Sequence, residues 1–120
     1  MKALLSFLCL GMCACGPQLP STEPSTGGDP RQGLVAFQRY GCGACHQVSG
    51  VPYAHGLAGP SLDGLSSRTY VGGNLQNTPD NLEAWIMHPQ RIDAKSAMPE
   101  LEVSAADARD IAAFLLQVNQ

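Results

Sequence analysis

The chain has 120 residues, seven Lys and Arg against ten Asp and Glu, a net charge of −3 and a charged fraction of 14%. That length holds one small domain with a marginal core, and the sparse, mildly acidic charge argues against a nucleic-acid surface or a polybasic membrane patch. Another protein is the expected partner.

The first 14 residues read as an export signal. Lys2 supplies the positive start, and Ala3 to Met12 is an apolar run far shorter than the ~20 residues that span a bilayer. The run ends in Met12-Cys13-Ala14-Cys15, which resembles a bacterial lipobox, with small Ala14 before the cut and Cys15 as the lipid-bearing new N-terminus. An ordinary signal peptide cleaved nearby is the alternative, because Met12 and Cys13 are uncommon residues ahead of such a cysteine. Cys9 and Cys13 follow Leu8 and Met12, which suit the cut less well. Of the five cysteines only Cys42 and Cys45 then lie in the body of the protein, and loss of Lys2 leaves a mature chain of charge −4.

Residues 16–28 hold three prolines, four Ser or Thr and three glycines without apolar periodicity. Such a segment cannot bury enough surface to order itself, so residues 15–28 are expected to be a lipid-anchored tether reaching at most ~45 Å. A frayed terminus is the reading if Cys15 carries no lipid.

The folded unit is expected from about Asp29 to Gln120. Asp29-Pro30 forms a helix start, with Gly33, Leu34 and Phe37 at helical spacing and Gly41 as the stop. From Gly41 to Asn77 neither strand alternation nor a helical period is sustained, and a loop of that length is unexpected in a compact domain unless something other than protein fills it. Thr78-Pro79-Asp80 opens a second helix that Pro89 ends near Met87. A third begins at Ser104, with Asp107 three residues on, and carries Ile111, Ala112, Phe114, Leu115 and Val118. The expected class is all-α, with about three main helices and no strand.

Cys42-Gly43-Ala44-Cys45-His46 is the pattern for covalent haem attachment. Two thiols three positions apart reach both vinyl groups of one porphyrin, the next residue turns its imidazole to the iron, and Gly43 and Ala44 let the backbone lie close to the ring. A Cys-x-x-Cys also occurs as a zinc half-site or a thioredoxin-type pair. The first needs two more ligands, and His55 and His88 are not spaced to supply them; the second needs a preceding strand.

Met98, in Ala97-Met98-Pro99, is the candidate sixth ligand, 52 residues after His46 in a loop between two helices. A thioether there stabilises ferrous iron and raises the potential relative to two imidazoles. Met87 falls within a helix and reads as packing, while His55 and His88 remain alternative ligands. The Pro60 carbonyl is placed to accept from the His46 ring N–H, and Arg68, Tyr70 and Trp85 are candidates to hydrogen-bond haem propionates. Ordinary packing and solvated loop positions are the competing reading for those three.

These features together resemble a class I cytochrome c from about Gly33 to Val118, in which Gly33 and Phe37 match the N-terminal helix and Ile111 and Phe114 its C-terminal partner. Gly59-Pro60-Ser61-Leu62, Ser67-Arg68-Thr69, Asn77 to Trp85, Pro89-Gln90 and Met98-Pro99-Glu100-Leu101 closely resemble the cytochrome c domain of caa3-type oxidase subunit II. That likeness implies electron delivery to a terminal oxidase. The copper-binding domain and membrane helices of that subunit are not in the sequence, so a stand-alone lipoprotein is expected, and His88 stands where those domains usually carry an acid.

The expectation is therefore an exported carrier with one covalent haem c ligated by His46 and Met98, monomeric and not an enzyme, on the periplasmic or outer face of a bacterial membrane. It shuttles single electrons between respiratory proteins. Two rivals stand beside it: a haem enzyme or gas sensor in which Met98 is displaced, and a fixed electron-transfer subunit of a larger complex.

Overall fold

The computed structural model describes residues 19–120; the expected export signal and Cys15 lie outside the described residues. The three longer helices each begin where a short polar side chain satisfies an orphan N–H. Helix α1 spans Pro30–Arg39, with the Asp29 carboxylate accepting from the Arg31 N–H at 2.8 Å, and the chain leaves it at Gly41 in the left-handed region, φ 73°. Helix α2 spans Pro79–Met87 behind a Thr78 cap. Proline at 89, which cannot donate to the preceding turn, ends α2 and opens a further short helix α3, Pro89–Ile92. Helix α4 spans Ala105–Gln117, and the Ser104 hydroxyl both accepts from the Asp107 N–H at 3.1 Å and donates to its carboxylate at 2.9 Å.

The core forms where α1 crosses α4. A β-carbon on Gly33 would lie 1.9 Å from the Asp110 carbonyl oxygen, so the two backbones approach as closely as only glycine permits. One turn on, the Phe37 and Phe114 rings meet edge to face at 5.5 Å and 60°, both buried, with Ala36, Ile111, Ala112 and Leu115 around them. At the end of α1, the Asp107 carboxylate accepts from the Tyr40 hydroxyl at 2.7 Å and pairs with Arg39 at 2.9 Å. Hydrogen bonds from Tyr40, Ser104 and Arg39 hold that carboxyl below the usual range. Helix α2 packs on α4 through buried Leu82 and Ile86.

Between α1 and α2 the chain wraps rather than crosses the body. It makes two single-turn 3₁₀ helices, Cys42–Ala44 and Leu65–Ser67, and is pinned by buried Val48, Val51, Ala54 and Leu65. A minute antiparallel hairpin, β1 Tyr70–Val71 and β2 Leu75–Gln76, was not expected; Gly72 and Gly73, both at positive φ, supply the reversal. Two residues a strand leave the class unchanged: all-α.

The tether expectation needs a correction at its C-terminal end. Residues 23–28 form a closed turn, with the Glu23 N–H donating to the Gly28 carbonyl at 2.9 Å and the Gly27 N–H to the Glu23 carbonyl at 2.8 Å. The Glu23 side chain is 6% exposed. Its burial favours the neutral form, but bonds from the Ser25 hydroxyl and Thr26 N–H outweigh that and hold the carboxyl below its ordinary range. Gly28 lies against the Arg109 carbonyl of α4. Composition misled here because the order comes from side-chain capping and contact with α4, not from apolar periodicity.

Candidate functional site

The long wrapping segment, α2, the loop after α3, Phe37 of α1 and Leu115 of α4 enclose a cleft of about 470 Å³. Phe37, Leu62, Leu65, Leu82, Ile86 and Leu115 form apolar walls, and Cys42, His46 and Met98 stand among them although they are far apart in sequence. Pro60, Arg68, Tyr70 and Trp85 line the same space. The preferred attachment, ligand and propionate candidates therefore meet there except Cys45, which is exposed beside it, at the end of the 3₁₀ turn that carries Cys42.

That turn is built by its own backbone. The His46 N–H donates to the Cys42 carbonyl at 3.0 Å, which swings the His46 side chain to the cleft immediately after the two cysteines. The imidazole is then fixed by a second strand of chain: His46 Nδ1 donates to the Pro60 carbonyl at 2.8 Å. A carbonyl only accepts, so the proton sits on Nδ1 and the Nε2 lone pair is free for a metal. Gly59 presses on the ring, and a β-carbon there would lie 2.4 Å from Cε1. The role of Pro60 was legible in the sequence; that of Gly59 was not, because it depends on a contact across thirteen positions.

Burial pushes the Cys42 thiol up to about 11. A dithiol redox catalyst needs the opposite, a thiol lowered toward neutrality. Among the described residues no three His, Cys, Asp or Glu side chains converge as a metal cluster, so the cysteine pair lacks the further donors of a zinc site.

Met98 reaches the cleft on a loop that α3 organises. The Asp93 carboxylate accepts from the Lys95 N–H at 2.9 Å, its carbonyl from the Ser96 N–H at 3.0 Å, and the Ser96 hydroxyl from the Met98 N–H at 3.2 Å. From α3, the Gln90 amide reaches the Ser96 and Met98 carbonyls at 3.4 and 3.5 Å. Helix α3 and the role of Gln90 differ from the expectation that Pro89 is only a stop, because proline also favours a first helical turn. The alternatives to Met98 lie elsewhere. Met87 packs against the core, His55 is exposed and bridges to Gln47, and His88 faces Glu100 at 3.4 Å.

The three propionate candidates differ. Arg68 lines the cleft while its guanidinium donates to the Ser61 and Asp63 carbonyls, so it also braces the loop after Pro60. Tyr70 is largely exposed on β1, and Trp85 packs its ring against Gly72.

The donor set fits a haem: two cysteines on one turn, an imidazole with a free Nε2, and a thioether, around an apolar cleft. Comparison with known proteins agrees. Residues 31–119 match the family model described as Cytochrome c. The chain is 35% identical over 85 residues, 70% of its length, to a cytochrome c oxidase subunit 2 of Alkalihalophilus pseudofirmus, of which it spans 24%. Among the described residues no helix is long and apolar enough to cross a membrane. The chain belongs to the cytochrome c family, and is a c-type cytochrome for electron transfer whose membership implies covalently bound haem c.

Proposed function

We propose that the protein is a single-haem, single-electron carrier that catalyses no bond chemistry, held by a lipid on Cys15 at the outer face of a bacterial membrane and passing electrons to a terminal oxidase. The observation that carries the reading is the meeting of Cys42, His46 and Met98 at one apolar cleft, with His46 oriented by Pro60. Haem iron supplies the one-electron ferric–ferrous couple. The chain's own part is to hold that group still. Cys42 and Cys45 would anchor it, His46 and Met98 would bind its iron, and the walls from Phe37 to Leu115 would keep water out, so that neither redox state would demand rearrangement. Likeness to an oxidase subunit supports the oxidase as partner.

The docked turn at Glu23 shortens the free tether. From Cys15 to Glu23 is eight residues, no more than ~29 Å of chain, which keeps the domain near the membrane and within reach of a membrane-embedded acceptor. Changing Cys15 to Ser should release the protein from membranes; sedimentation with them after a high-salt wash would remove the anchor from this reading.

The absorption spectrum tests the centre. Oxidised holoprotein should show the weak far-red band of methionine sulfur on ferric haem, and Met98→Ala should abolish it while lowering the potential by on the order of 0.1 V, a fraction of the roughly 0.8 V that axial ligands span. Haem bound without that band would transfer the reading to an open or histidine-ligated site.

A further inference from the structure

The hydrogen bond that orients His46 is one rung of a longer ladder. The segment after the cysteine turn and the segment around Pro60 run side by side. The Gly59 N–H donates to the Cys45 carbonyl at 2.8 Å, His46 Nδ1 to the Pro60 carbonyl at 2.8 Å, and the Leu62 N–H to the Gln47 carbonyl at 2.9 Å. Past that point the Asp63 side chain takes over. Its carboxylate accepts from the Ser49 N–H at 2.9 Å and from the Ser49 hydroxyl. The Asn119 amide donates to the same carboxylate at 2.7 Å and to the Ser49 carbonyl at 2.9 Å, so a residue beyond the end of α4 holds both segments at once.

Asp63, Ser49 and Asn119 lie outside the cleft lining, so contact with a cofactor does not account for them. Asn119 holds φ 52°, a left-handed backbone that asparagine tolerates better than most residues with a β-carbon, and from it the amide reaches the two segments. Bonds led by that from the Ser49 hydroxyl hold the Asp63 carboxyl below its ordinary range. At neutral pH it is therefore an ionised acceptor, and charge-assisted bonds are roughly twice as strong as neutral ones. Proline has no N–H, so Pro60 adds no backbone rung of its own on that side.

We propose that Asp63, clasped by Ser49 and Asn119, is a positioning residue for the metal-binding imidazole: it keeps the Pro60 carbonyl on His46 Nδ1 and thereby sets the donor strength of Nε2. This rests on the reading above in which His46 binds haem iron. A carbonyl held on the Nδ1 proton draws that proton away from the ring, which makes Nε2 the stronger donor and favours ferric over ferrous iron. With the clasp open, residues 60–63 depend on Arg68 at the Ser61 and Asp63 carbonyls and on the Leu62 rung. The His46–Pro60 bond then breaks more often, and the ferrous state gains.

Proton NMR of the reduced holoprotein, with a redox titration beside it, tests this. In the parent the His46 ring protons, shifted far upfield by the porphyrin ring current, identify the ligand. Asp63→Ala, Ser49→Ala and Asn119→Gly, the last keeping a residue that adopts positive φ freely, should each speed solvent exchange of the His46 Nδ1 proton roughly tenfold, as loss of an ordinary hydrogen bond does. Each should also raise the ferrous-to-ferric ratio at a fixed ambient potential about threefold while the far-red band stays. Ser49→Ala and Asn119→Gly leave the net charge unchanged. A carboxylate acting by charge alone would shift the ratio in Asp63→Ala only and leave exchange at the parent rate, and that result overturns the proposal. So does parent behaviour in all three variants. A parent whose His46 ring lacks the upfield shift removes the ligand reading and the proposal with it, whereas an intact shift with unchanged exchange removes the proposal alone.

Discussion

Replacing His46 with alanine is expected to abolish stable holoprotein and with it the cooperative fold. His46 is the donor whose ring is set by Pro60 and Gly59, and it stands on the wall of a cleft of about 470 Å³. Without its occupant that space leaves its apolar walls in contact with water, and the burial they would gain is lost from a small core. The total stability of a domain this size is about 5–15 kcal/mol. The core residues Phe37, Leu65, Leu82, Ile86 and Leu115 all turn part of their surface to the cleft, so the packing around the α1–α4 crossing is weakened when the cleft is not filled. Haem staining of the exported protein and circular dichroism against temperature measure both halves of the claim. A haem-free His46→Ala protein that melts cooperatively would falsify it.

Gly33→Ala is expected to destabilise the holoprotein although alanine is the better helix former. The propensity gain is about 1 kcal/mol. Against it, the new β-carbon would start 1.9 Å from the Asp110 carbonyl oxygen and 2.8 Å from the Phe114 β-carbon, and a backbone carbonyl in a helix cannot swing aside as a side chain can. The helices must separate by more than an ångström, loosening the Phe37–Phe114 contact next to the cleft. Overpacking of this kind costs about 1–3 kcal/mol and more where backbone is involved. A net loss of about 2 kcal/mol lowers the melting temperature by roughly 10 °C. Thermal unfolding followed at the haem band reads it directly, and a melting temperature equal to or above the parent's would show that the crossing tolerates a methyl group.

The success of sequence reading followed the range of the interactions. Asp29-Pro30, Thr78-Pro79 and Ser104-x-x-Asp107 announce helix starts because capping is a local event within three or four residues, and all three helices begin where those signals stand. Cys42, Cys45 and His46 are equally local, since one turn of chain sets their spacing. Helix α3 escaped because four residues present no periodicity. The 23–28 turn escaped because its stability lies in the buried Glu23 carboxylate and in contact with Arg109 and Ala113, more than eighty positions away. Arg68 and Trp85 could be named as cleft residues, but not that Arg68 binds the carbonyls of 61 and 63 or that Trp85 rests on Gly72.

By itself the sequence determined the all-α class, the cysteine–histidine turn, the choice of Met98 over Met87 as candidate ligand and the expectation that a non-protein group fills the wrap from Gly41 to Asn77, because each follows from residue type and short spacing. Only the tertiary structure decided that Met98 and His46 share one cleft, that Gly59 and Pro60 fix the imidazole from across the loop, and that Gln90 and Ser96 hold the methionine segment. Those are contacts between segments whose separation no local propensity encodes, and they exist because a short chain must close around its cleft to bury any core at all.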